Sequence, residues 1–160
     1  MNRRPGECLR HPLVVGMLFL WIINDHVLKA AYGNFWTGKL SDVAGLVVFP
    51  LIPLALYEFY CAWTSRNPRL HRMIFGASMA FTASLLIAIN LSEACSTLCC
   101  EFVATIQWPF LSGWALFSGQ KIPNLPQLTA TPDPTDLFTL PALLIPLYLQ
   151  KRPDLQKAET

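Results

Sequence analysis

Long apolar segments alternate with short polar or charged stretches along the whole chain. Most of the main apolar segments approach the roughly 20 residues that a helix needs to cross the hydrocarbon core of a bilayer. The pattern predicts an all-α integral membrane protein with four transmembrane helices and one further apolar segment that is re-entrant or interfacial. The predicted spans are residues 12–32, 42–63, 72–91 and 136–150, and the further segment covers residues 102–117.

The first predicted span meets polar residues before it is long enough to cross the membrane. Its purely apolar part runs from Pro12 to Ile23 and has 12 residues. A helix of this length covers about 18 Å. The span must therefore continue through Asn24, Asp25 and His26, which puts these side chains below the membrane surface. Polar groups at such depth usually face protein or water and often mark a functional site.

The composition supports a single membrane domain over residues 1–160. Charged residues make up 14% of the chain and apolar residues 53%, whereas an ordinary soluble domain carries roughly 25% charged residues. The N-terminal sequence MNRRPGECLRH is similar to the charged start of a secretory signal, but no clear small-residue cleavage site follows the apolar run. We therefore expect a retained signal-anchor helix.

Basic residues predict the orientation, because cytoplasmic loops carry an excess of Lys and Arg. Four spans leave both termini in the cytoplasm and put nine of the twelve basic residues on that side. A fifth span at residues 102–117 would move the C-terminal basic residues outside, so we favour four spans and keep five as the alternative. The nine residues are Arg3, Arg4, Arg10, Arg66, Arg69, Arg72, Lys151, Arg152 and Lys157.

A weak internal repeat would divide the four spans into two tandem helix pairs. Ser41-Asp42 precedes the second span, and Thr135-Asp136 precedes the fourth. Ser, Thr and Asp are preferred N-caps of helices, and a carboxylate there complements the helix dipole. Capping is the simpler interpretation of both pairs, and a functional role for their carboxylates is the other.

Asp25 and Lys29 are four residues apart and share one face of a helix, so they can form an ion pair. One interpretation is a structural pair near the membrane boundary, with Lys29 extending to the headgroups. The other is a binding site. His26 adds a group that titrates near neutral pH, but no second ligand lies at metal-binding spacing, and we predict neither a metal nor another cofactor.

The predicted binding site is a layer of polar residues at the outer ends of the spans. In the predicted topology these residues reach the same side of the membrane, where they would contact a lipid headgroup, an ion or a partner membrane protein. The candidates are Asn24, Asp25, His26, Lys29, Lys39, Asp42, Asn90, Glu93, Asp133 and Asp136.

Three cysteines, Cys95, Cys99 and Cys100, fall in the turn predicted after the third span. An exported face is oxidising, so a disulfide is a candidate there, with free thiols and a metal site as alternatives. Glu58 lies late in the second span beside Tyr57, and we expect its carboxylate to reach the interface.

The stretch from Asn24 to Gly45, with its Gly-Lys-Leu-Ser-Asp core at residues 38–42, and the later Asp-Pro-Thr-Asp-Leu at residues 133–137 resemble small uncharacterised bacterial multi-pass proteins. That resemblance implies an inner-membrane location and no particular activity. The arrangement also resembles the VanZ-like family of small four-helix membrane proteins, whose last helix follows an acidic motif. The chain lacks the Gln and Gly-Arg elements expected before that helix, so no residue role is carried over.

The function that the sequence favours is a non-enzymatic binding or accessory role in the membrane. The expected partners are the lipid bilayer and either a partner membrane protein or further copies of the chain as a homo-oligomer, with no nucleic acid. One alternative is a small membrane enzyme acting on a lipid-linked substrate, with His26 and an aspartate as acid and base. The other is an ion or proton pathway through an oligomer.

Overall fold

The computed structural model describes residues 5–151, which form helices joined by turns and one long loop, with no strand in that range. The all-α class is therefore confirmed for this part of the chain. Arg3, Arg4, Arg152 and Lys157, four of the residues used to predict the orientation, lie outside the described residues. The α-helices are α1 (Pro12–Tyr32, with a π-helical segment at Asn24–Leu28), α2 (Phe35–Val48), α3 (Leu51–Trp63), α4 (His71–Leu91), α5 (Glu93–Phe117) and α6 (Leu144–Lys151).

Three helical segments within residues 5–151 are long and apolar enough to cross a membrane: α1, the combined Phe35–Trp63 segment of α2 and α3, and α4. Their surfaces carry many exposed large apolar side chains, among them Phe19, Val27 and Phe81. Such side chains suit contact with lipid. The first and third segments have the bounds that the sequence predicts to within one residue.

The connection between α1 and α2 corrects the predicted start of the second span. Gly33 ends α1 in the left-handed region, with φ +45°. Asn34 then caps α2 by accepting a hydrogen bond from the Thr37 backbone N–H, and the Thr37 hydroxyl accepts one from the Asn34 N–H. The N-cap interpretation of Ser41-Asp42 is wrong, because this capping box starts the helix at Phe35 and leaves both residues in the middle of α2.

The chain divides into two compact units, residues 1–84 with 138–160, and residues 85–137. In the first unit, α2 passes into α3 through a short turn at Phe49 and Pro50, where proline removes a backbone donor. The core of this unit forms where α1, the α2–α3 junction and α4 meet, and its buried side chains are Val14, Val47, Val48, Leu51, Leu54 and Phe75.

In the second unit, a long loop lies along α5 and is held by side-chain hydrogen bonds. The Ser96 hydroxyl donates to the Ala130 carbonyl at 3.0 Å, and the Trp108 indole N–H donates to the Pro123 carbonyl at 3.0 Å. The turn predicted around Cys95, Cys99 and Cys100 is wrong, since all three lie in the first turns of α5.

Two predicted apolar segments take unexpected forms. Residues 102–117 are the C-terminal part of the continuous helix α5, which contains Pro109. Residues 136–150, predicted as a transmembrane helix, divide between a 3-10 helix, Pro134–Leu143, and the short helix α6. Asp133 occupies the capping position of the 3-10 helix, and its carboxylate accepts hydrogen bonds from the Thr135 N–H and hydroxyl. The N-cap interpretation of Thr135-Asp136 is therefore wrong.

Candidate functional site

The candidate site lies at the π-helical turn of α1, where the predicted polar residues begin. The Lys29 backbone N–H bonds to the Asn24 carbonyl across this wider turn. A π-turn inserted in an α-helix often marks a functional site. Here it brings Asn24 and Asp25, adjacent in sequence, to the same hydroxyl group on α2.

That hydroxyl belongs to Ser41, which joins the two helices through an ordered chain of hydrogen bonds. The Asn24 amide Nδ2 donates to Ser41 Oγ at 2.6 Å and to the Thr37 carbonyl at 2.7 Å. Ser41 Oγ donates to Asp25 Oδ1 at 2.6 Å. Lys29 Nζ lies 2.8 Å from the same carboxylate oxygen. We call Asn24, Asp25, Lys29, Thr37 and Ser41 the hairpin cluster.

The direction of each bond in the hairpin cluster is fixed by the chemistry of its ends. The Thr37 carbonyl can only accept, so the Asn24 group that faces it is the donating NH₂. Because Ser41 Oγ accepts from Asn24, its own proton is directed to Asp25, which receives it as a carboxylate. The cluster therefore converges on one negatively charged group.

Burial changes sharply along the hairpin cluster. Asn24 is 0% exposed, and Ser41 and Thr37 are also buried. The Asp25 and Lys29 side chains are 36% and 42% exposed. Asn24 Oδ1 is buried and makes no hydrogen bond to any group within residues 5–151. The arrangement thus has a rigid, buried end that fixes the position of an accessible ion pair.

The other predicted residues of the first unit lie on the same two helices as this cluster. His26 is exposed and belongs to the same π-turn. Lys39 lies over the Phe35 ring, with Nζ 4.6 Å from the ring centroid. Asp42 follows Ser41 on α2 and is therefore about 100° further round that helix. The geometry supports Asp25 and Lys29 as the accessible pair.

Among the predicted residues of the second unit, Asn90 has a structural role. Asn90 is buried, donates from Nδ2 to the Leu86 carbonyl and accepts at Oδ1 from the Asp133 N–H at 3.2 Å. Glu93 lies in the first turn of α5, and Asp136 lies near the start of the 3-10 helix. The bond between Asn90 and Asp133 holds the end of the loop against α4. The single outer layer that would join them to Asp25 remains a prediction.

Sequence reasoning assigned Ser41 a different role and missed Thr37. The signal was present, because Thr37 and Ser41 are four residues apart and share one face of a helix. It was overlooked because α2 was expected to start at Asp42, which would leave both residues outside the helix.

The described part of the chain contains neither a cluster of metal-ligating side chains nor a disulfide bond. Within residues 5–151 no three His, Cys, Asp or Glu side chains come together in a way that could hold a metal ion. The candidate disulfide is not formed, since Cys95, Cys99 and Cys100 are free thiols.

Comparison of the chain with protein-family models, curated proteins and solved structures gives no match. The geometry of the described residues is therefore the basis for any functional conclusion.

Proposed function

We propose that the protein is a non-enzymatic, multi-pass protein of the bacterial inner membrane whose hairpin cluster binds a zwitterionic lipid headgroup. The observation that carries this proposal is the accessible Asp25–Lys29 pair, which is fixed by the fully buried Asn24. A zwitterionic headgroup carries one charge of each sign. Its ammonium group would pair with Asp25 and its phosphate with Lys29, replacing the internal ion pair by two external ones.

The proposed topology has four spans and cytoplasmic termini. Excess Lys and Arg before α1, between α3 and α4, and after α6 requires an even number of crossings. The segment of residues 134–151 can supply the fourth. Ten residues of 3-10 helix and eight of α-helix extend to about 32 Å, close to the thickness of the hydrocarbon core. In this topology α5 remains on the outer side or re-enters the membrane.

The expected depth of the hairpin cluster in the membrane supports contact with lipid headgroups. The combined α2–α3 segment has 29 residues and is about 44 Å long, so its ends extend beyond a core of roughly 30 Å. Asn24 pairs with Thr37 and Ser41, which flank the charged Lys39. The nearby Trp36 is 75% exposed, as expected for an aromatic ring at the membrane interface.

The contacts of Asp25 favour binding over catalysis. Its Oδ1 already accepts from Ser41 and lies against Lys29. A carboxylate stabilised in this way is a weak base. Within residues 5–151 His26 forms no ion pair with a carboxylate, so no Asp or Glu orients its imidazole for proton transfer.

The test uses the purified full chain in nanodiscs of phosphatidylethanolamine or phosphatidylglycerol, with bound lipid measured by native mass spectrometry. We expect preferential retention of phosphatidylethanolamine and a roughly tenfold loss of that preference in Asp25→Asn, since a hydrogen bond to a charged group contributes about 1.5–3 kcal/mol. Glu101→Gln is the matched control, because Glu101 is an exposed acid on α5.

Equal retention of the two lipids by the wild-type protein would contradict the proposal. Retention of a cation or of a co-purified membrane protein that depends on Asp25 would instead support one of the other two ligands expected from the sequence.

A further inference from the structure

A second polar region of the first unit surrounds a pocket where α3 ends and α4 begins. The pocket has a volume of about 450 Å³, within the range of small-molecule binding sites. Its apolar wall includes Pro5, Cys61 and Ala62, and its polar wall is strongly basic. The basic side chains are Arg66, Arg69, His71 and Arg72, and we call this region the arginine pocket.

The end of α3 directs the chain into this pocket through a Schellman motif. The Arg66 N–H bonds to the Cys61 carbonyl at 2.8 Å, and the Ser65 N–H bonds to the Ala62 carbonyl at 3.3 Å. Ser65 adopts the left-handed conformation that this motif requires, with φ 53°. The Tyr57 hydroxyl accepts a hydrogen bond from the Leu70 N–H and fixes the other end of the loop. The loop that carries the arginines is therefore structured.

The one acidic side chain of the pocket wall is already engaged by other groups. Glu58 Oε2 accepts a hydrogen bond from the Gly6 N–H at 2.8 Å, and Oε1 lies 2.8 Å from His71 Nε2. Glu58 is only 8% exposed, so the expectation that it reaches the interface is wrong. Both carboxylate oxygens hold the N-terminal segment and His71 in place and leave the arginines without a counter-ion from this residue.

The three guanidinium groups carry positive charge that the described part of the chain does not neutralise. None of Arg66, Arg69 and Arg72 forms an ion pair with a carboxylate within residues 5–151. Arg72 also lies in the first turn of the 21-residue helix α4, where the helix dipole is positive and disfavours a cation. An anion in the pocket would neutralise the arginine charge and would also interact favourably with the positive end of the helix dipole.

We propose that the arginine pocket binds a phosphate-bearing anion. Arginine presents donors in a planar fork that matches phosphate oxygens and forms charge-assisted hydrogen bonds with them. The pocket is larger than a phosphate ion alone and has an apolar wall, so it suits a phosphate attached to a small organic group. Both an anionic lipid headgroup and a soluble phosphate ester have this chemistry. This site is separate from the hairpin cluster and does not depend on the function proposed for it.

The test compares two doubly neutralised variants of the full chain, each losing two positive charges. Arg69→Gln with Arg72→Gln removes two pocket arginines. Arg10→Gln with Lys151→Gln is the control, because both residues are exposed and neither lines the pocket. Ala62→Phe is a third variant that keeps every charge and fills part of the cavity.

One experimental arm measures binding of phosphatidylglycerol, presented in phosphatidylethanolamine nanodiscs, by native mass spectrometry. The other measures glycerol phosphate and inorganic phosphate by calorimetry on the detergent-solubilised protein. We expect wild-type binding in at least one arm, weakened about tenfold or more in the pocket double variant and in Ala62→Phe, and unchanged in the control.

Binding of the lipid alone would identify a headgroup as the source of the phosphate, and binding of the soluble compounds would identify a free ester. Absence of binding in both arms would overturn the proposal, as would equal losses in the two double variants, which would indicate general surface charge. Asp25→Asn should leave this binding intact, which separates failure here from failure at the hairpin cluster.

Discussion

The hairpin cluster and the arginine pocket satisfy charge in opposite ways, although both lie in the first unit. In the hairpin cluster, Asp25 receives a hydrogen bond and an ion-pair contact from neighbouring residues, and the chain of donors ends on it. In the arginine pocket the single carboxylate, Glu58, is occupied by Gly6 and His71. The arginines there carry excess positive charge, and they line a cavity instead of pairing with a carboxylate of the described residues.

This difference separates a region whose buried groups hold two helices together beneath an accessible ion pair from a region whose positive charge is left open to a cavity. Removing a group from the hairpin cluster leaves buried partners unsatisfied and should reduce stability. Removing an arginine from the pocket relieves repulsion and should affect binding more than folding. Mutations of the buried groups of the hairpin cluster should therefore change unfolding, whereas mutations of the pocket arginines should change phosphate binding.

The largest effect is expected for Asn24→Asp, which replaces the buried donor with an acceptor. The new oxygen would face the Thr37 carbonyl, now 2.7 Å from Nδ2, and a second negative charge would lie beside Asp25. Since breaking a buried polar arrangement by leaving one charge uncompensated costs roughly 3–5 kcal/mol, we expect a loss of that order in unfolding free energy. Titration of the detergent-solubilised protein with a denaturing detergent measures it.

The control is the same chemical change at Asn34, which is exposed and caps α2. Asp caps helices about as well as Asn, so Asn34→Asp should leave stability nearly unchanged. Comparable losses in the two variants would mean that the hairpin cluster is not a distinct stabilising unit.

The general fold could be predicted from the sequence, but the contacts that define both regions could not. Apolar length alone gives α1 and α4, because a membrane span needs a fixed number of residues. The predicted start of α2 was wrong because the sequence offers two competing capping signals. Ser41-Asp42 precedes a purely apolar run, whereas Asn34 precedes a mixed one. The choice between the two signals depends on a tertiary contact, because the hydrogen bond from Asn24 places Ser41 inside α2.

The arginine pocket was missed for a different reason. Its arginines were used as topology markers, and their number alone predicts a side of the membrane and no cavity. Its shape depends on a contact across 52 residues, the hydrogen bond from Gly6 to Glu58. Local spacing contains no information on a pair so far apart in the chain.

A smaller effect is expected for Gly6→Ala, which tests the wall of the arginine pocket. Gly6 has φ +69°, and a Cβ there would lie 2.8 Å from Phe59 Cε2. The left-handed conformation alone should cost about 1–2 kcal/mol for alanine. We expect faster hydrogen exchange in the 3-10 helix Glu7–Arg10 as the N-terminal segment separates from Glu58.

Gly16→Ala is the matched control for this change. Gly16 lies inside α1, and a Cβ there would meet nothing within 4 Å. Alanine is favoured over glycine in a helix by roughly 0.5–1 kcal/mol, so this variant should be neutral or more stable. Unchanged hydrogen exchange in Gly6→Ala would show that the hydrogen bond to Glu58 survives the strain. The pocket wall would then not require glycine at position 6.

The smallest effect concerns the left-handed residue that ends a helix in each region. Gly33 ends α1 beside the hairpin cluster, whereas Ser65 follows α3 at the arginine pocket with φ 53°. A left-handed conformation costs a residue other than glycine about 1–2 kcal/mol. We therefore expect Ser65→Gly to raise the unfolding free energy by about 1 kcal/mol and Gly33→Ser to lower it by a similar amount. Both are measured by the same detergent titration. If Ser65→Gly stabilises the protein and also weakens phosphate binding, the strained serine holds Arg66 in its binding position; if binding is unchanged, the Schellman hydrogen bonds alone suffice to position it.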